Sequence, residues 1–303
     1  MSFLTYKDAR PFAKAIKEAV LTKRMPPWFA DPHAGKFAND VSLKADDIAT
    51  LAAWADSGAK EGDASHAPKP VQFVQGWNIG NPDLVVELPK PHAVPAKGTI
   101  DYIYYVLPLN LKQDTWISAA EVRPGNREVV HHVIAFVRPP GAKWLKNAPL
   151  GEPYIPKSGE GGTPFGQWVG AYAPGMPPDQ MLPGQGRLLK AGSDVVLQMH
   201  YTANGKEATD KTRIGFVFAK EPVKERVVTL ASANDKFEIP PGAPNHEVRS
   251  SITLREETKL ATLMPHMHLR GKAFEMRAVY PSGETEVLLR VPRYDFNWQL
   301  IYR

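Results

Sequence analysis

Hydrophobic positions change their period once along the chain. Up to about residue 61 they recur at helical spacing. Phe12, Ala15, Ile16, Ala19 and Val20 share one face, after a Thr5-Tyr6-Lys7-Asp8 segment that fits a capping box. Pro26-Pro27 stops this helix, and a second runs through Ile48, Leu51, Ala52 and Trp54 to a C-cap at Ser57-Gly58. Residues 62–72 (GDASHAPKPVQ) read as a linker. From about residue 73 the pattern becomes short β-rich runs broken by Pro and Gly: DLVVEL, TIDYIYYVLPL, TWISAAEV, EVVHHVIAFV, SDVVLQMHYT, RIGFVFA, ERVVTLA, SSITL and KLATLMPHMHL. Such runs predict antiparallel sandwiches rather than βαβ units. Residues 157–187, rich in Gly and Pro, read as a long ordered loop packed by Phe165, Trp168 and Tyr172. A second β unit starts near Glu221-Pro222, and residues 294–303 alternate like a strand up to the last residue. Both ends of the sequence read as cut.

Composition narrows the chemistry. A chain of 303 residues can bury two cores, and 43% hydrophobic with 23% charged residues is ordinary for a soluble globular protein. The longest apolar runs, such as Val195-Val196-Leu197, are far too short for a membrane span, and no signal-peptide pattern is visible. The net charge is +5, but the basic residues are scattered among 32 acidic ones without a basic block, which argues against a nucleic-acid partner. There is no cysteine, which excludes disulfides, thiolate metal sites, iron–sulfur clusters and covalent haem attachment within this chain. A metal here must be held by His, Met, carboxylate or water.

Nine histidines remain. His33, His66, His92 and His246 stand beside Pro, Ala or Asn in predicted loops and read as solvated surface. The other five lie on or at the ends of β-runs: His131 and His132, His200, and then His266 and His268. His266 and His268, two apart, project from one face of a strand and suit either a core or a metal. His131 and His132 face opposite ways on a regular strand, so both can reach one ion only at a strand end or a bulge. His200 alone suits a core position as well as a ligand. Together, one pair and the singleton make a three-nitrogen site, while the other pair needs a further ligand. Histidine without cysteine on a β-scaffold favours copper or zinc, and no acidic residue is placed to complete a facial iron triad.

The segments VVHHVIAF, VVLQMHYTANG and MPHMHLRG, in this order and at these separations, resemble the copper type II, ascorbate-dependent monooxygenases, the family of peptidylglycine α-hydroxylating and dopamine β-monooxygenases. The resemblance covers roughly residues 73–303. It implies a mainly β fold with a small N-terminal α region and two jelly-roll-like antiparallel β-sandwich domains, the second incomplete. The division it implies is a 73–220 N-terminal copper domain and a 221–303 C-terminal one. By carry-over, His131, His132 and His200 hold one copper, and His266 and His268 hold the second, catalytic copper together with a methionine. That methionine is the departure: Met267 faces away on a regular strand, Met276 is too near in sequence, and the ligand is expected beyond Arg303. The absence of the disulfides that brace the animal enzymes points to a bacterial relative. Residues 1–61 resemble the distal half of a c-type cytochrome domain, with Met25 the candidate axial haem ligand of a complete protein. Haem c is expected only if the upstream attachment segment is present.

The resemblance implies hydroxylation of a C–H bond of a small-molecule or peptide substrate by dioxygen. Electrons come from a reductant, ascorbate or a haem, and the location implied is periplasmic or secreted. Soft thioether ligation favours Cu(I), so the second site is where dioxygen and substrate meet. Gln198 and Tyr201 flank His200 and are candidates to orient imidazoles. The rival readings are a non-catalytic copper-binding or electron-transfer module, a zinc-dependent hydrolase, and a structural sandwich with incidental histidines.

Overall fold

The computed structural model describes residues 3–69, 72–157, 160 and 167–303. Phe165 and its neighbours, assigned above to a long loop, lie outside the described residues. The protein is mainly β, with 27% strand against 11% helix. Three α-helices come first: α1 (Tyr6–Ala9), α2 (Ala13–Leu21) and α3 (Ala45–Asp56). Fourteen strands follow among the described residues. They begin with β1 (Leu84–Glu87), β2 (His92–Val94), β3 (Ile103–Pro108), β4 (Thr115–Arg123) and β5 (Val130–Arg138). Next come β6 (Trp168–Tyr172), β7 (Asp179–Gln180), β8 (Gln185–Leu189), β9 (Asp194–Tyr201) and β10 (Ala208–Asp210). The last are β11 (Arg213–Phe218), β12 (Glu225–Arg226), β13 (Phe274–Val279) and β14 (Thr285–Val291).

Residues 74–258 form one compact unit. Strands β1-β11-β4-β8-β12 make one sheet, with β7 also on β4, and β3-β9-β5-β6 make a second. Pairing is antiparallel except for β12 on β8. Alternation explains why these segments fold this way. In β9, Val195, Leu197, Met199 and Tyr201 enter a core shared with Val133, Ala135 and Val137 of β5 and with Ile117, Leu189, Ile214 and Phe216 of the other sheet. This sharing makes the unit a β-sandwich. A smaller cluster forms on the opposite face of the second sheet, where Trp144, Leu145 and Ala148 cover Val106, Phe136 and Val196. Part of the region read as one long loop is strand: Trp168–Tyr172 pairs with β5, and Asp179–Gln180 pairs with β4.

Residues 1–73 and 259–303 form the other unit. Within this unit the N-terminal segment packs with the C-terminal one. The reason is apolar packing: Trp28, Phe29 and Phe37 lie against Leu289, Val291, Tyr294 and Tyr302. Trp28 meets Tyr302 at 4.8 Å between ring centroids. Backbone bonds reinforce this, from Asp31 N to Arg290 O (2.8 Å) and from Ala38 N to Arg303 O (2.6 Å). The capping box at Thr5 and Asp8 is present, and Gly58 closes α3 with a positive φ.

Over 221–303 the described strands are β12, at the start of the ERVVTLA run, and the pair β13–β14, which the runs read from the sequence do not include. Among the described residues no named strand lies between Arg226 and Phe274, and Leu263 makes only an isolated bridge to Tyr302. Beyond β12, the rest of ERVVTLA and the run SSITL alternate as strands do, but the two arms meet through side chains instead of a ladder. Ser232 Oγ donates to Ser250 Oγ (2.9 Å), Asn234 Nδ2 donates to Arg249 O (3.0 Å), and Phe237 stacks on His246. Leu230, Phe237, Ile252 and Leu254 are exposed.

Candidate metal centre

Strand β5 carries two adjacent histidines, and a bulge places both on one side. Val130 pairs with Tyr201 and His132 with His200, so His131 is the extra residue of the ladder. Val130 and Val133 both enter the sandwich core, three residues apart, which no regular strand allows. The two residues between them leave that core together. His131 Nδ1 lies 3.0 Å from His132 Nδ1, and His200 Nδ1 lies 3.4 Å from it. One ring nitrogen from each of the three histidines lies within 4.8 Å of the others.

Metal–imidazole bonds of about 2.0–2.1 Å set neighbouring nitrogens of one coordination shell about 3 Å apart, close to the spacing of His132 from each of the other two rings. His132 Nδ1 faces both other imidazoles, an arrangement that could hold one cation among the three rings. Among the described residues no carboxylate joins the group. The donor set is therefore neutral nitrogen only, which fits copper or zinc better than a hard, oxygen-seeking ion. All three rings are half-buried. Burial, and secondly the charge of His131, lowers the pKa of His200 and favours the neutral form that a metal needs.

Tyr102, which sequence patterns do not single out, walls the site. Its ring stacks on His200 at 4.7 Å and 25° and tilts against His132 at 5.8 Å. Its signal was the period-two run ahead of β3, which aligns Tyr102 with Tyr104 on one face. The residues flanking His200 direct their polar atoms elsewhere. Gln198 donates to the Tyr104 hydroxyl, and the Tyr201 hydroxyl donates to Asp210 (2.9 Å).

His266 and His268 lie in a segment outside the named strands, with ring centroids 5.2 Å apart. Gln299 Oε1 lies 2.8 Å from His266 Nδ1 and holds that nitrogen as the donor, leaving Nε2 as a free lone pair. Gln299 is itself fixed by donation from Nε2 to Phe296 O (2.8 Å). His266 is exposed, and the partial desolvation of its ring lowers its pKa, opposed by the Gln299 bond. Met267 and Met276 both pack into the core of this unit. Among the described residues no third His or carboxylate joins this pair. The two histidine sets sit in different units of the chain.

The remaining histidines divide. His33 is exposed beside Asp31 (3.1 Å), and His66 and His246 are exposed. His92 is not solvated surface, which corrects the expectation. It lies 2.8 Å from the Tyr105 hydroxyl and stacks on Tyr201 at 4.8 Å and 15°, because β2 pairs with β10 over the core. Burial accordingly lowers its pKa and pushes that of Tyr105 up to about 12. Met25 is 45% exposed, and the absence of cysteine leaves no residue for thioether attachment of haem c. No protein-family model matches the chain, and no curated protein is significantly similar to it.

Proposed function

We propose that this chain is part of a copper-dependent monooxygenase that hydroxylates a C–H bond of a small-molecule or peptide substrate, using dioxygen and an external reductant. The observation that carries the reading is the convergence of His131, His132 and His200, three imidazoles with no carboxylate or thiolate among them. His131, His132 and His200 would hold one copper, and His266 and His268 would supply two ligands to a second, catalytic one. Copper, when bound, supplies one-electron redox chemistry and dioxygen activation. The chain's own groups prepare these sites. Tyr102 covers one side of the three-imidazole cluster and limits water there, while Gln299 keeps the proton of His266 on Nδ1. Two separated sites suit a reaction that takes up two electrons one at a time, from ascorbate or a haem-bearing donor, in a periplasmic or secreted setting.

The test is copper loading followed by oxygen uptake with ascorbate. Reductant-dependent uptake lost in both His200→Ala and His266→Ala supports the reading. Activity gained with zinc and indifferent to reductant would instead mean a hydrolase. A second reading, copper binding or electron transfer without oxygenation, is favoured because no third histidine or carboxylate joins His266 and His268 among the described residues. It predicts stoichiometric copper binding with no oxygen uptake.

A further inference from the structure

We infer that Asp210 is a positioning residue for the three-imidazole site, holding the bulge at His131 in register. This rests on the reading of His131, His132 and His200 as metal ligands. Asp210 is 1% exposed, and its carboxylate accepts five hydrogen bonds. Oδ1 accepts from the backbone N–H groups of Gly125 (2.8 Å) and Asn126 (3.0 Å). Oδ2 accepts from the Tyr201 hydroxyl (2.9 Å), the Thr212 hydroxyl (2.7 Å) and Thr212 N (3.2 Å). Burying a carboxylate is costly unless its oxygens are satisfied. Here the partners are drawn from the two segments that carry the ligands, as well as from the adjoining β10–β11 corner.

Those two segments form a closed circuit. Asn126 opens the turn before β5, and Val130 N donates back to Asn126 O (3.2 Å). Val130 pairs across the ladder with Tyr201, the residue after His200, and the Tyr201 phenol returns to Asp210. Thr202 N donates to Val129 O (2.8 Å) inside this ring. Gly125 permits the closure. A Cβ there would stand 2.6 Å from the backbone N of Lys211 and 2.9 Å from its O, so no side chain fits between the turn and the residue after Asp210. His92, stacked on Tyr201, holds the phenol from the side.

The circuit matters because a bulge is the place where pairing can slip. A one-residue shift would put His131 rather than His132 opposite His200 and turn the other imidazole towards the core. Asp210 ties both strands together at the Val130–Tyr201 pair, the flank on which the ladder enters the extra residue, and contacts none of the three imidazoles itself. It therefore acts through the turn and Tyr201.

Two variants test this in a His266→Ala/His268→Ala background, so that only the three-imidazole site reports. Asp210→Asn keeps an acceptor for Gly125 and Asn126 but sets an amide NH2 against Thr212 N–H. Tyr201→Phe removes a single hydroxyl and leaves the carboxylate intact. The probe is Cu(II), followed by titration, by electron paramagnetic resonance and by melting with and without metal. Both variants should bind copper about 10–100-fold more weakly, as outer-sphere changes do, with a spectrum that splits into more than one nitrogen environment. A purely structural Asp210 would lower the melting temperature equally with and without copper and leave affinity and spectrum unchanged, which overturns the inference. If Asp210→Asn fails to fold, a folded Tyr201→Phe with parental affinity and spectrum overturns it equally. If the background protein shows no copper signal that His200→Ala abolishes, the metal-site reading fails and takes the inference with it.

Discussion

His132 stands directly across the β5–β9 ladder from His200, and their Nδ1 atoms lie 3.4 Å apart. Opposed residues of an antiparallel pair have Cα atoms about 4.5–5.5 Å apart, the shortest distance at which two strands can offer two imidazoles to one point. The bulge then adds a third from the same edge. Strand pairing, rather than loop placement, sets the geometry of this site.

Removing a ligand should abolish one site and spare the other. Outer-sphere changes cost about 10–100-fold in metal affinity, and loss of a ligand costs more. His131→Ala is expected to lose one equivalent of copper while the His266 and His268 pair is unaffected, and His266→Ala the reverse. Metal analysis after dialysis reads this directly. Loss of all metal from either variant would mean a single shared site.

Copper binding should persist to lower pH than free imidazole allows. The pKa of His200 is lowered from 6.5 by burial, so protons compete with the metal only below the ordinary range. The same shift, shared by His92, carries a sign for the metal-free protein. Between the folded and unfolded pKa values the unfolded chain binds more protons, so stability is full above pH 6.5 and falls as pH drops below it. Melting of the metal-free protein at pH 7.5 and 5.5 checks this; equal values would contradict it.

Tyr102 acts as a wall and not as a proton donor. Tyr102→Phe should leave metal affinity and stability near the parent, because stacking on His200 needs only the ring. Tyr102→Ala should lose about 0.5–1.5 kcal/mol of stacking and release copper faster, since water gains access to His200. Stopped-flow transfer of copper to a chelator measures the release. A slow Tyr102→Ala paired with a fast Tyr102→Phe would sink this assignment.

Gln299 governs the tautomer of His266. In Gln299→Leu nothing holds the proton on Nδ1, and copper affinity at that pair should fall about 10–100-fold, with little change at the three-imidazole site. Gln299→Glu, which keeps the acceptor, should restore binding. Calorimetric titration of each variant in a His200→Ala background separates the two sites.

The first sandwich is legible because its strands bury alternate residues locally: the runs around Val133, Leu197 and Ile214 predict their own elements. The adjacency of two histidines calls for a strand end or a bulge, and the ladder supplies a bulge at His131. Other features depend on partners far away in sequence. His92 has polar neighbours in the chain but lies over Tyr105 and Tyr201, and only the fold brings them together. The packing of Trp28 and Phe37 on Tyr302 spans nearly the whole chain and leaves no local trace. Residues 228–254 show the opposite failure. Their alternation is genuine, yet alternation describes one strand, and a sheet needs a neighbour that the described residues do not give it.

The bulge gives the three-imidazole site an unusual kind of vulnerability. Because His131 is the one residue without a counterpart across the ladder, the site is written in the number of residues between Asn126 and His131 as much as in their identities. Loss of a single codon from that stretch would leave all nine histidines in place and still return β5 to an unbroken alternation. One imidazole would then turn inward, and the protein would keep its full complement of ligands with nowhere to assemble them.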